Sequence, residues 1–200
     1  MIFIKNGLMY TMKDEVIENG SILVKDGKIV DIGKDIIAPL DAKVIDAEGR
    51  LVTPGFVEAQ CNLGLWEDAI GFEGSDGNEV TDPITPHLRA IDGINPMDRT
   101  FEEAREGGVT TAITGPGSAN VIGGSFAAIK TYGHRVDDMI VKEPVAMKIA
   151  FGENPKRVYH AQKKTPVTRM ATAALVRETL YKAKNYLEKN ITNKNVKVLA

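Results

Sequence analysis

One cysteine in 200 residues, Cys61, excludes an internal disulfide and any metal site built from several cysteines. It fits a reducing compartment. Histidine is almost as scarce. The three are His87, His134 and His160, they share no spacing, and each reads as a loop or surface residue. There is no excess of positive charge. The formal net charge is −2, and no Lys/Arg cluster interleaves with aromatics, so nucleic acid is not an expected partner. No apolar run approaches the roughly 18 residues of a membrane span, and Lys5, Asn6 and Gly7 interrupt the first apolar stretch, so it is no signal-peptide core. A cytoplasmic protein is the expectation.

What is present is ordinary globular material, 43% hydrophobic and 26% charged. Residues 1–52 read as short strands. In "SILVKDGKIVDIG" two apolar runs flank Asp26-Gly27, a pair suited to a type I′ hairpin turn because both positions need positive φ. "KVIDAEGRLVTPG" repeats the pattern with Glu48-Gly49. After Pro54-Gly55 strands alternate with helices. "DRTFEEAREGG" reads as a helix capped by Asp98, with Glu102 and Glu103 in its first turn and Gly107-Gly108 at its end. "VTTAITGPGS", "FAAIKTYG" and "PVAMKIAFG" read as strands. A helix is expected from Pro166 to Lys189, capped by Thr165, with Val176, Leu180, Ala183 and Leu187 as its apolar stripe. "VKVLA" near the end reads as the start of another strand. The alternation predicts a parallel α/β arrangement. The long segment 66–98 carries Trp66, Phe72, Ile84 and Leu88, which predicts an ordered lid or site wall rather than a loose loop.

"LVTPGFVEAQCNLG" carries a more specific signal. At Thr53, Pro54, Gly55, Phe56, Val57 and Glu58 it resembles the entry to the barrel in the amidohydrolase superfamily. "WEDAIGFEGSDGNEVTDPITPHLRAIDGINPMDRTFEEAREGGVTTAITGPGSANVIGG" and "AMKIAFGENPKR" resemble its imidazolonepropionase-like branch, and the likeness runs over about residues 1–190. The resemblance implies a (β/α)8 TIM-type barrel, here about its first half (53–200), preceded by a small β-sandwich segment (1–52) completed by a returning C-terminal segment. It implies hydrolysis of C–N bonds in cyclic amides or related small molecules, with one or two divalent metals, zinc first, lowering the pKa of bound water to about 7.

The resemblance also fixes where the sequence departs. The family's first two metal ligands are histidines two apart on the first barrel strand, and here those positions hold Gln60 and Asn62. Residues i and i+2 of a strand point the same way, so both still project to the barrel mouth. Neutral carboxamides are poor zinc ligands. Cys61 points away from them and reads as a small apolar residue. Lys148, in "VAMKIAFGEN", resembles the lysine that is carbamylated and bridges two metals; otherwise it is a strand-flanking lysine reaching solvent. The Gly-rich "TGPGSANVIGG" either binds a substrate carboxylate or carbonyl through its N–H groups, Ser118 and Asn120, or is a plain connection. His87 is the histidine expected nearest a substrate.

A barrel takes roughly 250 residues, and about half is present after Pro54. The expected reading is a hydrolase fragment with substituted ligands, inactive alone. It closes with a second copy or a complementary C-terminal half, because open sheet edges pair. The other reading is a non-catalytic binding or scaffold protein on the same fold.

Overall fold

The computed structural model describes residues 1–13, 15–68 and 70–198, with side chains through Lys189. It divides into two units, Met1–Gly55 and Phe56–Ala200.

The first unit is one five-stranded sheet. Its strands are β1 (Ile2–Tyr10), β2 (Val16–Lys25), β3 (Lys28–Gly33), β4 (Lys43–Asp46) and β5 (Leu51–Val52). The order is β3-β2-β1-β4, with β5 also on β1. Asp26 and Gly27 have φ of 50° and 73°, as the I′ turn requires, and join the antiparallel β2 and β3. Glu48 and Gly49 also have positive φ, but the turn they form does not make a hairpin. It returns the chain to the same neighbour, so β4 and β5 lie one after the other, both parallel to β1. Phe3, Met9, Ile22 and Ala47 are buried in this unit.

The second unit holds β6 (Phe56–Cys61), α1 (Thr100–Glu106), β7 (Val109–Thr114), β8 (Ile122–Lys130), α2 (Val136–Met139), β9 (Ile140–Ile149), α3 (Glu153–Ala161) and α4 (Arg169–Val198). The sheet order is β6-β7-β8-β9. It is mixed, which corrects the all-parallel expectation. β6 and β7 are parallel, whereas β8 is antiparallel to both β7 and β9. Connection length is the cause. Forty-odd residues separate β6 from β7, ample for a crossover, but only Gly115–Val121 separates β7 from β8. A parallel return needs a dozen or more residues. β8 is one of the two interior strands and is buried along almost its whole length. Ala127 and Ile129 face a cluster with Leu65, Ala90, Ile94, Phe101 and Met139, which seats α1, α2 and segment 63–94 on one side of the sheet.

The described residues of segment 66–98 are ordered, as expected. It makes short 3-10 turns at Gly71–Gly74 and Ala90–Asp92 and bridges β8 at Ile84–Ile122 and Arg89–Ser125. α1 starts at Thr100, and the Asp98 carboxylate accepts the Thr100 N–H and hydroxyl, so Asp98 does cap its first turn.

The last helix departs from expectation. α4 starts at Arg169, where the Thr168 hydroxyl accepts the Ala171 N–H; Thr165 and Pro166 precede it. Of the expected stripe only Val176 is buried, while Leu180 and Leu187 are exposed. The helix runs on through Val198, so the expected strand at "VKVLA" is helical as far as Val198, and Leu199 and Ala200 lie outside the described residues. α3 was not foreseen. Its signals are Glu153 in the first turn and Pro155 near the start, where a missing N–H costs nothing. No helix among the described residues is long and apolar enough to cross a membrane.

Candidate functional site

β6 ends in a bulge. Val57 pairs with Thr111 and Glu58 with Ala112, but Cys61 pairs with Thr114, so one extra residue enters between Glu58 and Cys61. Cys61 therefore shares a face with Ala112 and Thr114, while Asn62 lies just past the strand and lines the same cavity as Cys61 and Ala112. Gln60 is exposed, and its N–H donates to the Glu58 carboxylate at 3.0 Å. Asn62 is half-buried, and its amide nitrogen donates to the Gly115 carbonyl at 2.6 Å. Cys61 is half-buried too. Burial pushes its thiol up, and Sγ lies 3.6 Å from the Ile113 carbonyl it donates to.

Lys148 pairs with Gly124 and shares its face with Phe126 and Ala146. Through Ile113 and Ala128 this is the face opposite that of Ala112 and Thr114. Of the three residues expected at ligand positions, Lys148 is on the edge strand opposite to that of Gln60. Three strand spacings put it about 14 Å from β6 along the sheet. Two carboxamides and a distant lysine do not fit a zinc centre, which takes imidazole, thiolate or carboxylate donors. Among the described residues no three His, Cys, Asp or Glu side chains form a metal-binding group.

The Gly-rich loop between β7 and β8 is largely committed inside the protein. The N–H groups of Gly115, Gly117 and Ala119 donate to the Cys61 carbonyl, the Gly77 carbonyl and the Asn78 side-chain oxygen. Asn120 is 2% exposed. Its amide nitrogen donates to Thr85 Oγ1 at 2.8 Å, and its oxygen accepts the Tyr159 hydroxyl at 2.5 Å. Thr85 in turn donates to the Ile122 carbonyl at 3.1 Å. Asn120 thus holds three segments together, with one N–H and one lone pair of its buried amide committed inside the protein. Ser118 is half-buried and makes no side-chain hydrogen bond among the described residues. His87 is exposed on segment 66–98, and His134 and His160 are exposed elsewhere.

Sequence reasoning missed Tyr159 and Thr85, because their roles depend on contacts 39 and 35 residues away from Asn120. Burial, followed by the charges of Asp82 and Glu79, pushes the Tyr159 phenol up to about 12.

Two cavities flank these residues. One, about 450 Å³, lies beside β6 beneath α1 and is lined by Cys61, Leu63, Trp66, Ala104 and Val109 among others. The other, about 640 Å³, lies between segment 65–93 and the Gly-rich loop and has polar walls that include Asp76, Asn78, Glu79 and Arg89. The Thr81 hydroxyl and N–H hold the Glu79 carboxyl below its usual range. Arg89 is paired with Asp92 at 2.7 Å.

The second unit is a mixed α/β fold with one cavity beside β6 and another against the Gly-rich loop that follows β7. No protein-family model matches the chain. It is 39% identical over 166 residues to the amidohydrolase tasK of Hapsidospora irregularis, a match covering 76% of this chain and 17% of that protein. It is 44% identical over 62 residues to a dihydroorotase of Geotalea daltonii, covering 31% of this chain and 15% of that one. The crystal structure of an amidohydrolase from Thermotoga maritima superposes with a TM-score of 0.89 and 45% identity, covering 95% of this chain and 49% of that chain. The chain therefore spans about half the length of the solved relative and under a fifth of the two curated ones. These relatives support the amidohydrolase superfamily for this chain.

Proposed function

We propose that this chain carries part of an amidohydrolase-type hydrolase that cleaves C–N bonds in cyclic amides or related small molecules, within the imidazolonepropionase-like branch. Its second unit is then the opening half of a (β/α)8 barrel. The observation that carries this reading is the likeness to the T. maritima amidohydrolase, 45% identical over 95% of this chain. The identity of the dihydroorotase over a shorter stretch supports the same chemistry.

Gln60 and Asn62 stand where the family's first metal ligands stand, and Lys148 where its bridging lysine stands. On this reading the 200 residues alone hold no zinc and turn over nothing. Ser118, with its unpaired hydroxyl, and the exposed His87 are the remaining candidates to meet a substrate.

The test is zinc content by mass spectrometry after zinc loading, with hydantoin and dihydroorotate as trial substrates. The unmodified chain is expected to be zinc-free and inactive. A Gln60→His/Asn62→His variant is expected to retain zinc. Stoichiometric zinc with turnover in the unmodified chain would overturn the substituted-ligand reading. Zinc in the double variant alone would support the assignment of these two positions, whereas a zinc-free double variant would leave the missing half, or a different role altogether, as the explanation.

A further inference from the structure

The cavity between segment 65–93 and the Gly-rich loop has no part in the hydrolase reading. None of Gln60, Asn62 and Lys148 lines it. At about 640 Å³ it falls within the range of small-molecule sites, roughly 300–1,000 Å³. Its charged walls are Asp76, Glu79, Arg89 and Asp92. Arg89 donates from Nε and Nη2 to the two carboxylate oxygens of Asp92, at 3.1 and 2.7 Å, so these two charges are matched. Glu79 uses one oxygen to accept the Thr81 hydroxyl and N–H. Its other oxygen, and both oxygens of Asp76, have no partner among the described residues. The concave wall thus keeps two unmatched negative charges, and a low-dielectric hollow focuses such a field.

The short stretch that carries both carboxylates is fixed in place. The Asp76 N–H donates to the Leu65 carbonyl at 2.9 Å, and the Gly77 carbonyl accepts the Gly117 N–H at 2.8 Å. Asn78 accepts the Ala119 N–H at 3.0 Å, and the Trp66 indole lies so close to Gly77 that no Cβ would fit there. The remaining walls are partly apolar, with Leu65, Val80 and Leu88 inside and the 89% exposed Phe72 at the rim.

This lining selects among ligands by charge. An anion would meet two uncompensated carboxylates. A divalent metal ion would find no group of three ligating side chains among the described residues. A neutral molecule would take water from both carboxylates and return nothing. An organic cation compensates both, and its charge also favours the Phe72 ring face. A flat amidinium or guanidinium meets a carboxylate through two parallel hydrogen bonds, as Arg89 and Asp92 do in the same wall. We propose that this cavity binds a small organic cation, a planar amidinium or guanidinium on an apolar body, with Asp76 and Glu79 as its charge partners and Phe72 as its flat contact.

Benzamidine is the probe, titrated calorimetrically into the full chain, with neutral benzamide and anionic benzoate of similar shape beside it. One benzamidine should bind per chain, with the other two weaker by about tenfold or more. Asp76→Asn and Glu79→Gln should each weaken benzamidine about tenfold. Phe72→Leu should weaken it a few-fold. Glu18→Gln removes the same charge from the first unit and should change nothing. Equal affinity for the three probes, or no saturable benzamidine binding, would overturn the proposal in the unmodified chain, whether or not any variant folds. Benzamidine binding that survives the combined Asp76→Asn/Glu79→Gln change would also overturn it, because the cation would then sit elsewhere. Neither metal nor turnover enters these measurements, so their failure leaves the hydrolase reading standing.

Discussion

Replacing Tyr159 by Phe removes one oxygen from a buried polar chain. The ring stays, so packing is nearly conserved, but Asn120 Oδ1 loses the hydroxyl that donates to it at 2.5 Å. Both residues are essentially inaccessible, at 0% and 2%, so water cannot replace the lost donor without rearrangement. An orphaned buried acceptor costs about 1–3 kcal/mol. Asn120→Ala should cost more, since it strands the Tyr159 hydroxyl, removes the amide that donates to Thr85 and leaves a void. The double variant should be less destabilised than the sum of the two, by about 0.5–3 kcal/mol, because the partners are in contact. Urea unfolding followed by Trp66 fluorescence measures this in the unit that holds the network. Tyr181→Phe, at an exposed position on α4, is the control and should change nothing. The pH dependence adds a second signature. The phenol is held neutral, with its folded value at about 12 against about 10 when unfolded. Its contribution is fully present below pH 10 and is lost as pH rises from about 10 to 12. Tyr159→Phe should lack that alkaline loss. A Tyr159→Phe stability within about 0.5 kcal/mol of the unmodified chain, with strictly additive double-variant values, would refute the network as a stabilising unit.

Asp98→Ala should destabilise the second unit by about 1 kcal/mol or somewhat more, since it removes a helix cap and also the acceptor of the Asp68 N–H. Burial raises the Asp98 carboxyl, but the Thr100 hydroxyl, the Thr100 N–H and the Asp68 N–H outweigh it and hold it below the usual range. Its contribution is therefore present above the unfolded value and lost as pH falls through the lower folded one, so the gap between unmodified and variant chains should narrow in acid urea titrations. Gly115→Ala should cost about 2 kcal/mol or more in the same assay, since its Cβ would overlap the Phe126 ring. Gly27→Ala has open space around it and only its positive φ to oppose it, so about 1 kcal/mol is expected. Equal costs at the two glycines would show that the Gly115–Phe126 approach relaxes freely.

Where local chemistry decides, the sequence was enough. Asp26-Gly27 adopts positive φ at both positions because few other pairs tolerate it. Asp98 caps α1 because its carboxylate reaches N–H groups only two residues away. The composition of segment 66–98 predicted order, but of its apolar residues Ile84 joins a core cluster and Leu88 is half-buried, whereas Trp66 and Phe72 are exposed. The "PGFVEAQCN" stretch pointed to the superfamily that the relatives support.

Tertiary structure decided the rest, because it depends on which distant groups meet. Local pattern marked β8 as a strand but could not give its direction, which the short Gly115–Val121 connection and its neighbours impose. The same holds for α4. Its apolar stripe is regular, yet only Val176 finds a core to enter, alongside Val121 and Ile122. Asn120 looked available for a ligand in a Gly-rich loop. Only the fold shows that Thr85 and Tyr159 take both ends of its amide. Spacing alone put Gln60 and Asn62 on one face of a strand, but a bulge lies between Glu58 and Cys61 and Asn62 lies past the strand's end. Their distance from Lys148 is set by two intervening strands, which no local pattern encodes.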